Sequence, residues 1–177
     1  MSQVQNTKKP LTYATSQDFC RIFHENMNSL YLLSLLLTAD EGKAERCYVH
    51  GLEDCNDGGP VFKEWAHSWA RRTIVQNAIR MIAPRADTRE IGNNGPARNV
   101  AASFALASLL ELKAFDRFAY VLSVLEKYSD HDCSLLLGCS HQDVVNGRSR
   151  ASQHLASTGN VDPLPGRSLQ AGAAAAH

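Results

Sequence analysis

Four side chains along one short stretch, Gln142, Asn146, Arg148 and Arg150 in SHQDVVNGRSR, have the chemistry to read nucleic acid. Amides can bond base edges, and guanidinium groups can bond phosphate oxygens. Ser140 and His141, just ahead of them, stand where a groove-reading helix would begin. A second basic set, Lys63, Arg71, Arg72 and Arg80, lies within VFKEWAHSWARRTIVQNAIR. For both sets an ordinary solvated helix face is the competing reading.

Other chemistries find less support. No glycine-flanked nucleophile, phosphate loop or paired-carboxylate motif occurs in the chain, so an enzyme is not expected. Cys47, His50 and Cys55 carry ligand atoms, but their spacing matches no strong zinc pattern, and neither metal nor cofactor is expected. Trp65 and Trp69 are one helical turn apart. Core packing is the main reading for them, and stacking on an unpaired base the alternative.

The elements that must position these residues are helical. From Ser16 to Thr38, Phe19, Ile22, Phe23, Met27, Leu30, Tyr31, Ser34 and Leu37 recur at three-and-four spacing, which predicts one long amphipathic helix capped by Ser16. Asp40 caps a second, running to about Asp54 with Ala44, Cys47, Tyr48 and Leu52 inward. CNDGGP is a turn, after which a third helix spans Val61 to about Ile82, with Phe62, Trp65, Trp69, Ile74 and Ile79 inward and Pro84 as its stop. Further helical patterns follow over Val100 to Leu112, Asp116 to Tyr128, Asp130 to Leu137 and Ser140 to Ala156. Between the last two, Gly138 supplies a tight turn, and the pair has the grammar of a helix-turn-helix.

These patterns predict an all-α protein of two small helical domains. Residues 1–15 form a polar lead-in, 16–85 the first domain, 86–99 a flexible linker, 100–156 the domain with the helix-turn-helix, and 157–177 a disordered tail. The 177 residues carry 18 basic and 18 acidic side chains, so bulk electrostatics will not coat nucleic acid. The charges are nevertheless segregated: an acidic region up to Gly59 precedes a basic helix. No apolar run reaches the ~20 residues of a membrane span, and the N-terminus lacks the apolar core of a secretion signal, so a cytoplasmic protein with free thiols is expected.

The stretch from Arg117 resembles region 4 of bacterial sigma factors of the extracytoplasmic-function group. The residues that carry the likeness are Arg117, Val121, Leu122, Ser129, Leu137, Gly138, Cys139, Ser140, Val144, Arg150, Ala151 and Leu155. The first half is similar to region 2 of the same group. Leu37-Thr38-Ala39-Asp40 stands where the family has Leu-Thr-Gly-Asp ahead of Ala44-Glu45, and Phe62, Trp65, Ala70 and Arg71 match its Phe-x-x-Trp and Ala-Arg signature.

The resemblance implies a transcription initiation factor whose partners are core RNA polymerase and promoter DNA, with an anti-sigma partner left open. It implies −10 recognition by the N-terminal domain through Lys63, Arg71, Arg72 and Arg80. It implies −35 recognition by Ser140, His141, Gln142, Asn146, Arg148 and Arg150, and polymerase docking through Glu45, Tyr48, Val49 and Leu52. The alternative expectation is a protein-interaction module that keeps this architecture without promoter recognition. Zero net charge, the run RCYVHGLED in place of the family's usual docking sequence, and Gly147 in mid-helix at about 1 kcal/mol relative to alanine all agree with it.

Overall fold

A computed structural model describes residues 12–86 and 104–159. Most of the expected lead-in, linker and tail lies outside these residues. The architecture is predominantly helical: α1 (Ser16–Glu25), α2 (Met27–Thr38), α3 (Glu41–Asp57), α4 (Ala66–Ile82), α5 (Phe104–Leu110), α6 (Ala114–Tyr120), α7 (Asp130–Leu137) and α8 (His141–Gly159). No strand occurs among the described residues, where Tyr13 and Phe62 form an isolated antiparallel bridge.

The single long helix expected over Ser16 to Thr38 is two. Asn26 turns its own amide back on α1, with both its backbone N–H and its Nδ2 donating to Ile22 O, and so ends that helix. The cap of α1 is Thr15 rather than Ser16, because Asp18 three residues on completes a capping box. Met27, expected inward, is exposed, since the break at Asn26 resets the helical phase. In α2 nearly the whole circumference is buried, with Leu30, Leu33, Leu35, Leu36 and Leu37 in the core. Each such side chain contributes about 1.5–3 kcal/mol on leaving water.

Two corners share one device. Ala39, φ 53°, ends α2 in the left-handed region and Asp40 caps α3 through Lys43 N at 2.7 Å. Gly138, φ 62°, ends α7 and leads to Ser140, whose Oγ accepts from Asp143 N at 3.1 Å. Glycine adopts this backbone freely, whereas alanine meets its own carbonyl oxygen there.

Helix α4 begins later than expected. Thr12 to Ala14 pairs with Val61 to Lys63 through Ala14 N to Val61 O and Lys63 N to Thr12 O, and Lys63–Trp65 form a 3-10 turn ahead of Ala66. Trp65, expected inward, is 57% exposed because that turn is not yet in register with the buried face of α4.

The helices before and after residues 87–103 share one apolar cluster. Leu30, Leu37 and Ile74 pack in it together with Phe118, Val121 and Leu122. Arg117 adds a polar tie. It is buried in α6 and donates to Leu112 O at 2.6 Å and to Leu37 O, near the C-terminus of α2, at 3.3 Å. Carbonyls at a helix end have no intrahelical donor and lie at its negative pole, so a guanidinium there satisfies both hydrogen bonding and charge. The expected helix from Asp116 to Tyr128 loosens after Tyr120 into one wide π turn, Val121–Leu125, closed by Glu126 N to Val121 O at 2.9 Å. Among the described residues no helix is long and apolar enough to cross a membrane.

Candidate nucleic-acid interface

The start of α8 is built around a capping box. Ser140 N and Oγ both donate to Asp143 Oδ2, at 3.0 and 2.6 Å. These bonds hold the Asp143 carboxyl below the usual carboxylate range. Asp143 is therefore committed to the helix terminus. Val144, fully buried, fixes the rotation of α8, and Gln142 and Asn146 come out on the exposed side, where Gln142 Nε2 donates to Asn146 Oδ1 at 2.9 Å. Ser140 and His141 are exposed as well, and His141 Nε2 lies 3.3 Å from His131 Nδ1 at the start of α7.

The two arginines of α8 have partners inside this chain. Arg148 Nη1 lies 2.5 Å from Asp130 Oδ1, tying α8 to the first residue of α7. Arg150 donates from Nε and Nη2 to the buried Asp116, with its shortest bond at 2.6 Å, tying α8 to α6. That carboxylate raises the already high pKa of the Arg150 guanidinium.

Gly147 serves the same crossing. A Cβ there would sit 2.9 Å from Phe115 Cε1 and 3.1 Å from Ala119 Cβ, so only glycine lets α8 lie this close to α6. Its helix-propensity cost is the condition of that contact.

On the other basic helix, Lys63 Nζ is 3.2 Å from Asp18 Oδ2, Arg80 pairs with Asp54, and Arg71 makes a two-pronged pair with Glu126, whose Nε to Oε2 arm is 2.7 Å. The Arg71–Glu126 pair joins the helices on either side of residues 87–103. Arg72 is exposed and makes no ion pair among the described residues. Of the four residues expected to dock a partner on α3, Glu45 and Val49 are exposed and Leu52 is half-buried. Tyr48 is half-buried, with its hydroxyl donating to Phe23 O at 2.8 Å.

Beside Arg71 a cleft of about 770 Å³ opens between the start of α4 and the segment after the π turn. Its walls include Phe62, Trp65, Trp69, Arg72, Lys127 and Tyr128. Phe62 continues the aromatic row outward, stacked on Tyr13 at 4.9 Å and edge-on to Trp65 at 5.2 Å. Sequence reasoning passed over Lys127, whose φ of 62° gives no local signal in a lysine, and the aromatic wall, because Trp65 and Trp69 read as core.

Thiol and metal chemistry is not assembled here. Burial pushes the Cys47 and Cys133 thiols up to about 11, and Cys47 donates to Ile74 O. Cys55 contacts the Thr73 hydroxyl, while His50 points outward. No protein-family model matches this chain, and comparison with curated proteins found no relative.

Proposed function

We propose that the protein is a sigma-like transcription initiation factor. In this reading α7, the corner at Gly138 and α8 are a helix-turn-helix that enters the −35 major groove, and α4 approaches the −10 element. Core RNA polymerase docks on the Glu45 and Val49 face of α3 and supplies the catalysis. The observation that carries the reading is the first turn of α8: its cap is complete, and Gln142 and Asn146 stand exposed on one side of it. Arg148 and Arg150 act in it as positioning residues, holding α8 against α7 and α6. Of the basic residues on α4, Arg72 remains for phosphate.

The two promoter elements are separated by about 25 base pairs, roughly 85 Å of B-form duplex. Helices packed on one shared cluster cannot reach both, so engagement of both requires the halves to part, breaking the Arg71–Glu126 pair. Co-purification with core RNA polymerase from the host, followed by run-off transcription, tests the proposal. Promoter-dependent transcripts are the expected result, and failure to recover polymerase from expressing cells would discard it.

A second reading, a protein-interaction module on the same helical frame, is favoured by a different observation. Lys63, Arg71, Arg80, Arg148 and Arg150 are all neutralised by carboxylates of the chain itself. Duplex binding separates the two, since each phosphate neutralised by the protein releases counterions and steepens the fall of affinity with salt. A flat salt response favours the second reading.

A further inference from the structure

We propose that the cleft between the start of α4 and the segment after the π turn binds a free mononucleotide, its base against the indole rings and its phosphate between Arg72 and Lys127. Three observations carry this. The cleft, about 770 Å³, falls in the range of small-molecule sites and is lined by aromatic faces from both sides of residues 87–103. Trp65 is 57% exposed, an unusual position for so large an apolar surface without a partner of its own.

The charge of the lining is unbalanced toward an anion. Arg71 and Glu126 cancel in their mutual pair, while Arg72 and Lys127 are exposed and make no ion pair among the described residues. Asp132, also in the wall, accepts from the Ser129 hydroxyl at 2.6 Å. A guanidinium and an ammonium on one wall suit a phosphate.

The third observation concerns Trp69. Its Nε1 is shut off from solvent and has no acceptor among the described residues. A buried N–H without a partner costs about 1–3 kcal/mol. A nucleobase, unlike a plain aromatic ring, carries edge acceptors that can serve such a donor, and its face stacks on indole without regard to sequence. This inference does not depend on promoter recognition: the site lies on α4 and the segment around Tyr128, away from the exposed turn of α8.

The chain has two tryptophans, Trp65 and Trp69, and both line the cleft, so its entire indole emission reports on this site. The experiment is a fluorescence titration of the full chain with each of the four ribonucleoside monophosphates, with the matching nucleosides, inorganic phosphate and a short single-stranded DNA as parallel arms. Saturable quenching by at least one monophosphate is expected, with its nucleoside and phosphate alone binding ~10-fold or more weakly, a step of about 1.4 kcal/mol. Arg72→Gln with Lys127→Gln should remove the advantage of the monophosphate over its nucleoside while leaving the helical circular dichroism intact, because both side chains are exposed. Trp65→Ala, read by calorimetry, should weaken binding of base and nucleotide alike. No saturable change with any monophosphate overturns the proposal. So does an undiminished response in the double variant, or binding of the single strand without binding of the free nucleotide.

Discussion

Helices α4 and α8 are both basic, both carry arginines one or two positions apart, and the structure uses them differently. On α8, Arg148 and Arg150 reach acids within the surrounding α6 and α7, so the helix is braced by its own neighbours. On α4, Arg71 reaches across to Glu126 beyond residues 87–103, and Arg72 is left to solvent. Whether an arginine is available to a ligand is therefore decided by where a carboxylate lies in space, and the neighbouring residues in the chain do not reveal it.

The largest test of this bracing is at Gly147. Gly147→Val should destabilise the protein by about 2–3 kcal/mol in denaturant unfolding, because the Phe115 ring and Ala119 Cβ cannot both retreat. Gly51→Ala on α3, beside α4, should cost less. Its added Cβ would meet Ile74 Cδ1 at 2.6 Å, the far end of a flexible side chain. Equal losses at the two glycines would erase the contrast in how the helices are seated.

Next comes the removal of carboxylates. Asp116→Ala leaves Arg150 without its partner and opens a buried site, and should cost about 1–2 kcal/mol after allowance for the exposed guanidinium. Asp54→Ala, which removes the partner of the largely exposed Arg80, should stay within about 0.5 kcal/mol. Thermal unfolding of the two variants checks the ordering.

Acid should also separate the regions. The Thr15 backbone N–H and hydroxyl, helped by Lys63, hold the Asp18 carboxyl at about 2 against an ordinary 3.8. A carboxylate with a depressed folded-state pKa stabilises the fold above its unfolded value, and that contribution fades as pH falls through the folded one. The stability difference between wild type and Asp18→Asn should thus shrink as pH drops from 3.8 to about 2. Asp143→Asn at α8 should behave with the same sign. A pH-independent difference at either aspartate contradicts the capping role assigned to it.

The smallest effect concerns duplex binding under the sigma-like reading. Arg72→Ala should lower the slope of log affinity against log salt by about 0.9, one phosphate contact, while Arg148→Ala should leave it nearly unchanged. The reverse result would mean that the Arg148–Asp130 pair opens on DNA.

Much of the helical frame was legible. The bounds Asp130 to Leu137, the cap at Asp40 and the left-handed turn at Gly138 follow from local rules, and the structure has all three. The Thr15 capping box was readable too, from a threonine three residues before Asp18, but Ser16 drew the assignment. The partners of the site residues were not legible. Arg150 meets Asp116 from 34 residues away and Arg71 meets Glu126 from 55, separations at which local pattern carries no information. Gly147 read as a defect for the same reason, since the ring it accommodates belongs to another helix.

The π turn at Val121–Leu125 bears on the chain's tolerance of length change. A wide turn holds one residue more than an α turn, so it works as a shim that sets the angular position of everything after it. Trimming one residue from this turn would restore a regular helix and swing Glu126 by about 100° around the axis, away from Arg71. The same loss would carry Lys127 and Tyr128 out of the cleft wall. A single-residue deletion, neutral in most surface loops, would here uncouple the two halves of the molecule while leaving every side chain in the sequence that pairs them.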